Sequence, residues 1–243
     1  MLIPLSELAP RHGIKIDRVV HAGAHFAEEA AAYAGASVAD VLWVEGNPDL
    51  IERIREAVAP YGHKVAQALL GAESGRSVTF HVSNFDSMSS SVLDLGTHAE
   101  KHPQVVYVGD RAQTLSTLDD VAAQFGFLDA DFLNLDLQGY ELECLKGAGR
   151  LLESIRTIYT EINVDELYRG CALLPELDGW LNARGFEAVD VLLAGSSRRA
   201  GDEFVGWGDA CYVRVDQPRP FSVMHPADAL DWFEASAPPS GGG

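Results

Sequence analysis

The chain has 243 residues, of which 47% are hydrophobic and 22% charged, a composition typical of a folded globular protein and unlike that of a disordered one. Its formal net charge of -18 argues against a nucleic-acid partner and an anionic membrane surface, because both need clustered Lys and Arg. The three cysteines have no metal-ligand spacing, and the first residues resemble neither a signal peptide nor a membrane span, so we expect a reduced, cytoplasmic protein.

The first part of the chain alternates predicted strands with predicted helices. A short helix is expected at residues 4–12, where Gly13 ends it. After the second strand, Asn47 is placed as a helix N-cap and Pro48 as the first helical residue. A serine-rich loop is expected at residues 84–91. Four strands are predicted in this part, at residues 18–22, 41–44, 64–70 and 78–82.

The second part continues the alternation. A capping box formed by Ser116 or Thr117 with an aspartate three residues later begins a helix that Gly126 can end. Residues 194–208 are long for a connection inside a compact domain. Four further strands are predicted, at residues 132–135, 155–160, 186–193 and 209–215. Strands that alternate with helices imply a mostly parallel sheet with helices on both faces.

The chain has no internal repeat and no second core, so one domain is expected at residues 1–216. Within it, residues 1–17 are expected to form an N-terminal helical extension. Residues 217–243 are rich in proline and are expected to form a tail that carries a short helix at residues 229–233.

Four candidate functional residues lie at or just past the ends of predicted strands: Gly23, Glu45, Asp136 and Glu161. Ligands bind at the carboxyl ends of strands in such sheets. Gly23 lets a ligand approach the backbone, and Glu45 can accept hydrogen bonds from both hydroxyls of a ribose. The single glycine, without the spacing G-x-G-x-x-G, favours a nucleoside without a pyrophosphate, and S-adenosylmethionine is such a ligand.

Five segments, taken in chain order, resemble one known family. They are residues 21–29 (HAGAHFAEE), 45–48 (EGNP), 89–91 (SSS), 133–141 (LNLDLQGYE) and 206–210 (GWGDA). The family is the FkbM family of S-adenosylmethionine-dependent methyltransferases. The resemblance implies a class I methyltransferase fold, which is an α/β, Rossmann-like, seven-stranded, mostly parallel sheet with an antiparallel last strand and helices on both faces. It also implies O-methylation of a hydroxyl of a small molecule, natural product or saccharide.

The chain departs from the family's usual pattern in the first motif. The family commonly has Asp where His21 stands and Asn where His25 stands, although a subgroup has His at both positions. It also has Gly where Ala27 stands, so Ala27 is expected to leave less room in the cofactor turn. The pair Leu70 and Gly71 lacks the acidic residue that often contacts adenine after the third strand.

The motifs define an expected site. The expected cofactor-binding residues are His21, Gly23, His25, Glu45, Asn47, Ser89, Ser90, Asp136 and Gln138. Asp136 and Glu161 are the expected catalytic residues, with Asp136 acting as a base or an electrostatic anchor near the methyl donor. The alternative for Asp136 is a carboxylate that caps the following helix. Gln138 and Glu141 are expected to orient the turn after this strand.

A magnesium ion is an alternative that we keep outside the predicted site. Asp136, Glu161 and Asn163 resemble the residues with which metal-dependent class I O-methyltransferases hold this ion, and oxygen ligands suit it.

Other residues and functions complete the expectations. Tyr168, Arg169 and residues 196–207 are candidates to cover the acceptor, and a homo-oligomer is compatible with the sequence. The histidines at positions 63, 81, 98, 102 and 225 are assigned no role. Two other functions stay open: a nicotinamide-dependent oxidoreductase on a similar sheet, and a non-catalytic nucleotide-binding scaffold with the same fold.

Overall fold

A computed structural model describes residues 1–194 and 206–215 of the chain. The tail predicted at residues 217–243 and most of the connection predicted at residues 194–208 lie outside the described residues. The division of the chain into a domain and a tail therefore stays a prediction. No helix in the described residues is long and apolar enough to cross a membrane.

Helices and strands alternate along most of the described chain. The α-helices are α1 Leu5–His12, α2 Ala30–Gly35, α3 Ile51–Val58, α4 His98–Lys101, α5 Leu118–Phe125, α6 Glu141–Lys146 and α7 Leu174–Asn182. The strands are β1 Arg18–Ala22, β2 Asp40–Glu45, β3 Lys64–Gln67, β4 Leu69–Leu70, β5 Ser77–Ser83, β6 Tyr107–Ser116, β7 Phe132–Leu135, β8 Thr157–Asn163, β9 Phe186–Leu193 and β10 Trp207–Arg214.

Seven strands form the main sheet, in the order β3-β2-β1-β7-β8-β10-β9. Neighbouring strands are parallel except at β10, which is antiparallel to both β8 and β9. The chain runs outward from β1 to β3 and then returns to place β7 on the other side of β1. This reversal of direction opens a crevice at the carboxyl ends of β1 and β7. The predicted class of fold is confirmed.

Both faces of the sheet are covered by apolar packing, which explains why its central strands are buried throughout. Successive side chains of a strand point to opposite faces, so Val20 and Leu42 join one core cluster while Val19 and Val41 join the other. Helices α5, α6 and α7 contribute to the first cluster, and α1, α2 and α3 contribute to the second. The sheet is therefore held between two helical layers.

The strand predicted at residues 64–70 is two strands in two different sheets. β3 pairs with β2 in the main sheet, whereas β4 pairs with β6 in a second sheet of order β4-β6-β5. The apolar run gave no sign of this division, because both short strands contain buried residues.

The strand β6 was not predicted. Most of its side chains are exposed or half-buried, so its sequence carries little apolar periodicity. Pairing with β5, which joins Ser77 to Thr114 and Phe80 to Arg111, stabilises it through the backbone.

The strand predicted at residues 155–160 begins and ends later than expected. β8 extends to Asn163 and every residue of it is buried, so Glu161 and Asn163 lie within the strand and not after it. Pairing with β10 satisfies the backbone of this polar end, where Glu161 lies opposite Asp209.

The N-terminal segment packs on the main sheet. Leu5 and Leu8 of α1 are buried in the second core cluster, and Gly13 ends the helix in the left-handed conformation, as predicted. Before α1, the backbone N–H of Leu2 donates to Asp209 Oδ2 at 2.6 Å, and that of Ile3 donates to the Tyr159 hydroxyl at 2.9 Å. The segment is thus fixed to β8 and β10.

Helix α5 begins with a side-chain cap at Thr117, one of the two residues predicted for this role. Thr117 Oγ1 accepts the backbone N–H of Asp120 at 3.2 Å. We expect Thr117→Ala to lower the free energy of unfolding by about 1 kcal/mol, measured by denaturant titration. Thr117→Ser keeps the hydroxyl and is the matched control. An equal loss in both variants would show that the hydroxyl does not stabilise the helix.

Candidate active site

A cleft of about 510 Å³ lies at the carboxyl ends of the central strands. The sequence-predicted residues that line it are His21, Gly23, His25, Glu45, Ser89, Ser90, Asp136, Gln138 and Glu161. Asn47 and Asn163 do not line it. The structure therefore brings together residues from four strand ends and from the serine loop, while their individual roles stay predictions.

Gly23 permits the closest backbone approach in the cleft. It has a φ of +88°, which favours glycine, and a Cβ at this position would lie 1.8 Å from the backbone oxygen of Asp136. The backbone N–H of Asp136 donates to the Ala22 oxygen at 3.0 Å. The ends of β1 and β7 therefore touch, and only a residue without a side chain fits between them.

His21 is a buried residue of the sheet. Its Nδ1 lies 3.1 Å from the Tyr33 hydroxyl, and its ring stacks on Trp43 with 4.6 Å between centroids. Burial lowers its pKa to about 4, so the imidazole is neutral at physiological pH. These contacts favour packing over acid–base chemistry at His21.

Glu45 presents a fixed carboxyl group at the end of β2. Its side chain is buried, with Oε2 accepting the His25 N–H at 3.0 Å and Oε1 accepting the Asn47 N–H at 2.6 Å. Burial raises its pKa, although these two hydrogen bonds act in the opposite direction. Each carboxylate oxygen keeps a further lone pair, so the group can still accept hydrogen bonds from a ligand.

Asn47 holds the Glu45 carboxyl group through its backbone N–H without lining the cleft. Besides donating its backbone N–H, it caps the following turn, with Oδ1 accepting the Asp49 N–H at 3.1 Å as the sequence predicted. Its Nδ2 donates to Ser87 Oγ at 3.1 Å. Both side-chain polar atoms of Asn47 are therefore engaged within the protein.

Gln138 links the two predicted catalytic carboxyl groups. Its Nε2 donates to Asp136 Oδ1 at 2.6 Å and to Glu161 Oε2 at 2.9 Å. Its Oε1 accepts the Tyr168 hydroxyl at 2.5 Å, and its backbone oxygen accepts the Ser91 hydroxyl at 2.8 Å. The side-chain amide of Gln138 thus connects Asp136 and Glu161 to Tyr168, and its backbone oxygen binds the serine loop.

The two carboxyl groups differ in their surroundings. Burial raises the pKa of Glu161 well above its usual range, and the neighbouring acids Asp136, Glu141 and Asp209 raise it further. The pKa of Asp136 is also raised, chiefly because the surrounding protein reduces its hydration, although its side chain is open to the cleft. Burial and the neighbouring acids therefore favour the protonated form of Glu161, while Asp136 has the more open side chain.

Glu141 orients the turn between β7 and α6, as predicted. Its Oε1 accepts the Leu137 N–H at 2.8 Å and the Gly139 N–H at 3.2 Å. Burial raises its pKa to about 7. This carboxyl group holds the backbone that carries Gln138.

The serine loop is tied to the end of β5. Ser90 Oγ accepts the Ser83 N–H at 3.0 Å, while Ser83 Oγ accepts the Ser89 N–H at 3.0 Å. Ser89 and Ser90 both line the cleft. The predicted loop is therefore an ordered wall.

Sequence reasoning missed part of the cleft wall. His98 of α4 and His102, which follows that helix, line the cleft, and the His98 ring lies 5.4 Å from that of Tyr168, between centroids. Burial lowers the pKa of His98, and His102 lowers it further. The four-residue α4 has no apolar periodicity, so the spacing of two histidines on one helical face was the only available signal. Asp209, although part of a quoted motif, was also assigned no role.

The residues considered for magnesium are not all at the cleft. Asn163 is buried away from it, and neither polar atom of its side chain has a hydrogen-bond partner. Across residues 1–194 and 206–215, no group of three or more His, Cys, Asp and Glu side chains is placed to hold a metal ion.

Comparisons with known proteins agree with this geometry. The family model described as the methyltransferase FkbM domain matches residues 21–188. The chain is 28% identical over 139 residues to the 2-O-methyltransferase NoeI of Sinorhizobium fredii, an alignment that covers 54% of this chain and 57% of that protein. The match thus extends over little more than half of the relative's length.

Two solved structures resemble the chain at low sequence identity. An uncharacterized protein from Listeria monocytogenes superposes with a TM-score of 0.52 and 9% identity, covering 92% of this chain and 72% of that chain. TrmK of M. capricolum, bound to S-adenosyl-homocysteine, has a TM-score of 0.48 and 8% identity, covering 91% and 74%. The similarity to the Listeria protein shows a shared fold.

The approach of Gly23 to Asp136 gives a mutational test. Gly75 also has a positive φ, of +91°, but a Cβ there would meet no atom within 4 Å. We expect Gly75→Ala to cost about 1 kcal/mol of unfolding free energy and Gly23→Ala to cost more than about 3 kcal/mol. Denaturant titration measures both. Equal losses would mean that the end of β7 moves away without cost.

The protonation of Glu161 gives a second test. An acid whose pKa is raised in the folded state contributes stability at low pH that is lost as pH rises through the folded pKa. Glu161→Gln removes this loss, so we expect the variant to gain about 1 kcal/mol over the parent near pH 8 and nothing near pH 4. Denaturant titration at several pH values measures the difference.

Glu52→Gln is the matched control for the Glu161 variant, because Glu52 is exposed on α3. Its stability relative to the parent should not change with pH in this way. A Glu161→Gln variant that is less stable than the parent by the same amount at every pH would contradict the assignment.

Proposed function

The chain belongs to the FkbM methyltransferase family, and from that premise we propose that it is an S-adenosylmethionine-dependent O-methyltransferase. Its acceptor is a hydroxyl of a small molecule, natural product or saccharide. The observation that carries the proposal is that Gly23 and Glu45 follow or end adjacent strands, β1 and β2, and line one cleft at the sheet edge where such folds bind ligands.

The cleft fits the proposed cofactor. Gly23 lines the cleft beside Asp136, and the fixed carboxyl group of Glu45 can accept hydrogen bonds from ribose hydroxyls. Leu69 and Leu70 line the same cleft and offer apolar contact to an adenine ring, although no acidic residue follows them. When bound, the cofactor supplies an electrophilic methyl group. His21, His25, Asn47, Ser89 and Ser90 complete the proposed cofactor site, with Asn47 acting through Glu45.

In this proposal Asp136 and Glu161 serve the hydroxyl group that accepts the methyl group. Methyl transfer needs an aligned nucleophile and, for an alcohol, removal of its proton. Asp136 is open to the cleft, and its carboxylate would accept this proton while the bound cofactor would supply the methyl group and leave as its demethylated product. Glu161 keeps its own proton and, through Gln138, fixes the position of Asp136.

Three observations support the finer parts of the proposal. The relative's name, 2-O-methyltransferase, supports oxygen as the atom methylated. The net charge of -18 supports an acceptor other than a nucleic acid. Cys144, Cys171 and Cys211 are all free and buried, which supports a cytoplasmic location.

Calorimetric titration with S-adenosylmethionine and S-adenosylhomocysteine tests the proposal. We expect both to bind the parent, and Glu45→Gln to weaken the binding at least about tenfold, because a hydrogen bond to a charged group is lost. Glu56→Gln, an exposed change on α3, is the control for charge and should bind as the parent does.

Two results would contradict the proposal at different levels. If the parent binds neither compound, the proposed function is wrong, and binding of a nicotinamide cofactor instead would favour an oxidoreductase. Equal affinities in Glu45→Gln and the parent would refute only the ribose contact. A parent that binds the cofactor but adds no methyl group to any hydroxylated acceptor, followed by mass spectrometry, would favour a non-catalytic protein.

A further inference from the structure

The geometry points to His25 as a positioning residue. We propose that its imidazolium fastens residues 84–88, called here the 84–88 loop, to the turn after β1, and that loss of its proton releases the loop and weakens cofactor binding. The effect on the cofactor rests on the proposed function, whereas the attachment of the loop does not.

The two ring nitrogens of His25 both face hydrogen-bond acceptors. Nδ1 lies 2.6 Å from Glu28 Oε1, and Nε2 lies 3.0 Å from the backbone oxygen of Asp86. A carboxylate and a carbonyl oxygen only accept, and a neutral imidazole has a single N–H to donate. Both hydrogen bonds therefore form together only when the ring is doubly protonated.

The 84–88 loop needs such a restraint. Phe85, Asp86 and Ser87 have φ values of 51°, 57° and 71°, so three consecutive residues other than glycine adopt the left-handed conformation. This conformation is unfavourable for residues with a Cβ and persists only where surrounding contacts hold it. Two side chains from distant parts of the chain bond its centre, His25 at the Asp86 oxygen and Asn47 at Ser87 Oγ. Losing the first leaves the strained centre with one attachment fewer.

The loop and the cofactor turn share the same residue. The backbone N–H of His25 donates to Glu45 Oε2 at 3.0 Å, while its ring holds the loop. Ser87 and Met88 of the loop also line the cleft. Release of the loop therefore removes part of the cleft wall and disturbs the residue that orients Glu45.

The charged groups around His25 favour its protonated form. Burial alone would lower the pKa of His25, but the hydrogen bond and charge of Glu28, the Asp86 carbonyl and the charge of Glu45 raise it above its ordinary value. On α3, the guanidinium of Arg53 stacks on Phe26, whose ring lies 3.9 Å from that of His25, between centroids. The imidazolium therefore holds the loop below the raised folded pKa of His25, and the loop is released as pH rises through that pKa.

His25→Asn is the variant that tests the proposal. His25 has a φ of 44°, and asparagine tolerates this conformation better than most residues, so the backbone bond to Glu45 is kept. Its short, neutral side chain cannot bridge Glu28 and Asp86. The variant should therefore fold with a loop whose mobility no longer depends on the protonation of residue 25.

The first measurement is made on the protein without ligand. Nuclear magnetic resonance follows the titration of the His25 ring and the exchange protection of the Met88 and Ser90 amides, which donate within this segment. We expect His25 to titrate above its ordinary pKa and protection to fall about tenfold as it loses its proton. His25→Asn should show no such step, Glu28→Gln should lower the pKa of His25, and exposed Glu52→Gln should change neither.

The proposal is overturned if His25 titrates below its ordinary value, or if protection in the loop is the same before and after its titration. It is also overturned if His25→Asn keeps the same pH-dependent step as the parent.

The second measurement is calorimetric binding of S-adenosylhomocysteine at about pH 6 and about pH 9. We expect the affinity of the parent to fall about tenfold at the higher pH and that of His25→Asn to change much less. Binding at neither pH, with the loop behaviour intact, would contradict the proposed function and leave the attachment standing. Equal binding by the parent at both pH values would contradict the link between loop and cofactor.

Discussion

The contact between Gly23 and the backbone of Asp136 is the constraint on which the cleft depends. Because no side chain intervenes, the ends of β1 and β7 meet, and the chain after β1 must turn at once. The N–H groups of Gly23 and Ala24 both donate to the Val44 oxygen, which directs the turn toward β2 and brings His25 to Glu45. The Glu45 carboxyl group and the Asp136 side chain are thereby placed on either side of Gly23.

Several acids are buried around this contact, and their hydrogen bonds separate their roles. Glu45 and Glu141 each accept two backbone N–H groups, so each is held by donors that cannot move away. Glu161 accepts a hydrogen bond from the neutral Gln138 amide and lies near other carboxyl groups. Its neutral, protonated form therefore costs less to bury than its charged form. Asp136 shares that amide but opens to the cleft. Glu45 and Glu141 therefore fix the backbone, whereas Asp136 and Glu161 are joined through a side-chain amide.

Local signals explain why much of the fold could be predicted. The caps at Asn47 and Thr117 and the stop at Gly126 depend on side chains within a few residues of the backbone groups they satisfy. Buried strands of a parallel sheet are continuous apolar runs, and the polar residue that ends such a run marks the ligand-binding edge. Gly23 and Glu45 were found on this basis.

What was missed depends on contacts between distant parts of the chain. The exposed strand β6 exists through its backbone pairing with β5, and β8 continues past its apolar residues because β10 lies beside it. His98 belongs to the cleft only because its short helix packs beside Tyr168, some 70 residues later in the chain. The raised pKa of Glu161 likewise depends on burial and on Asp136, Glu141 and Asp209, which come from three separate parts of the chain. A sequence can mark which residues reach the edge of a sheet, but the charge they carry there is set by neighbours that only folding supplies.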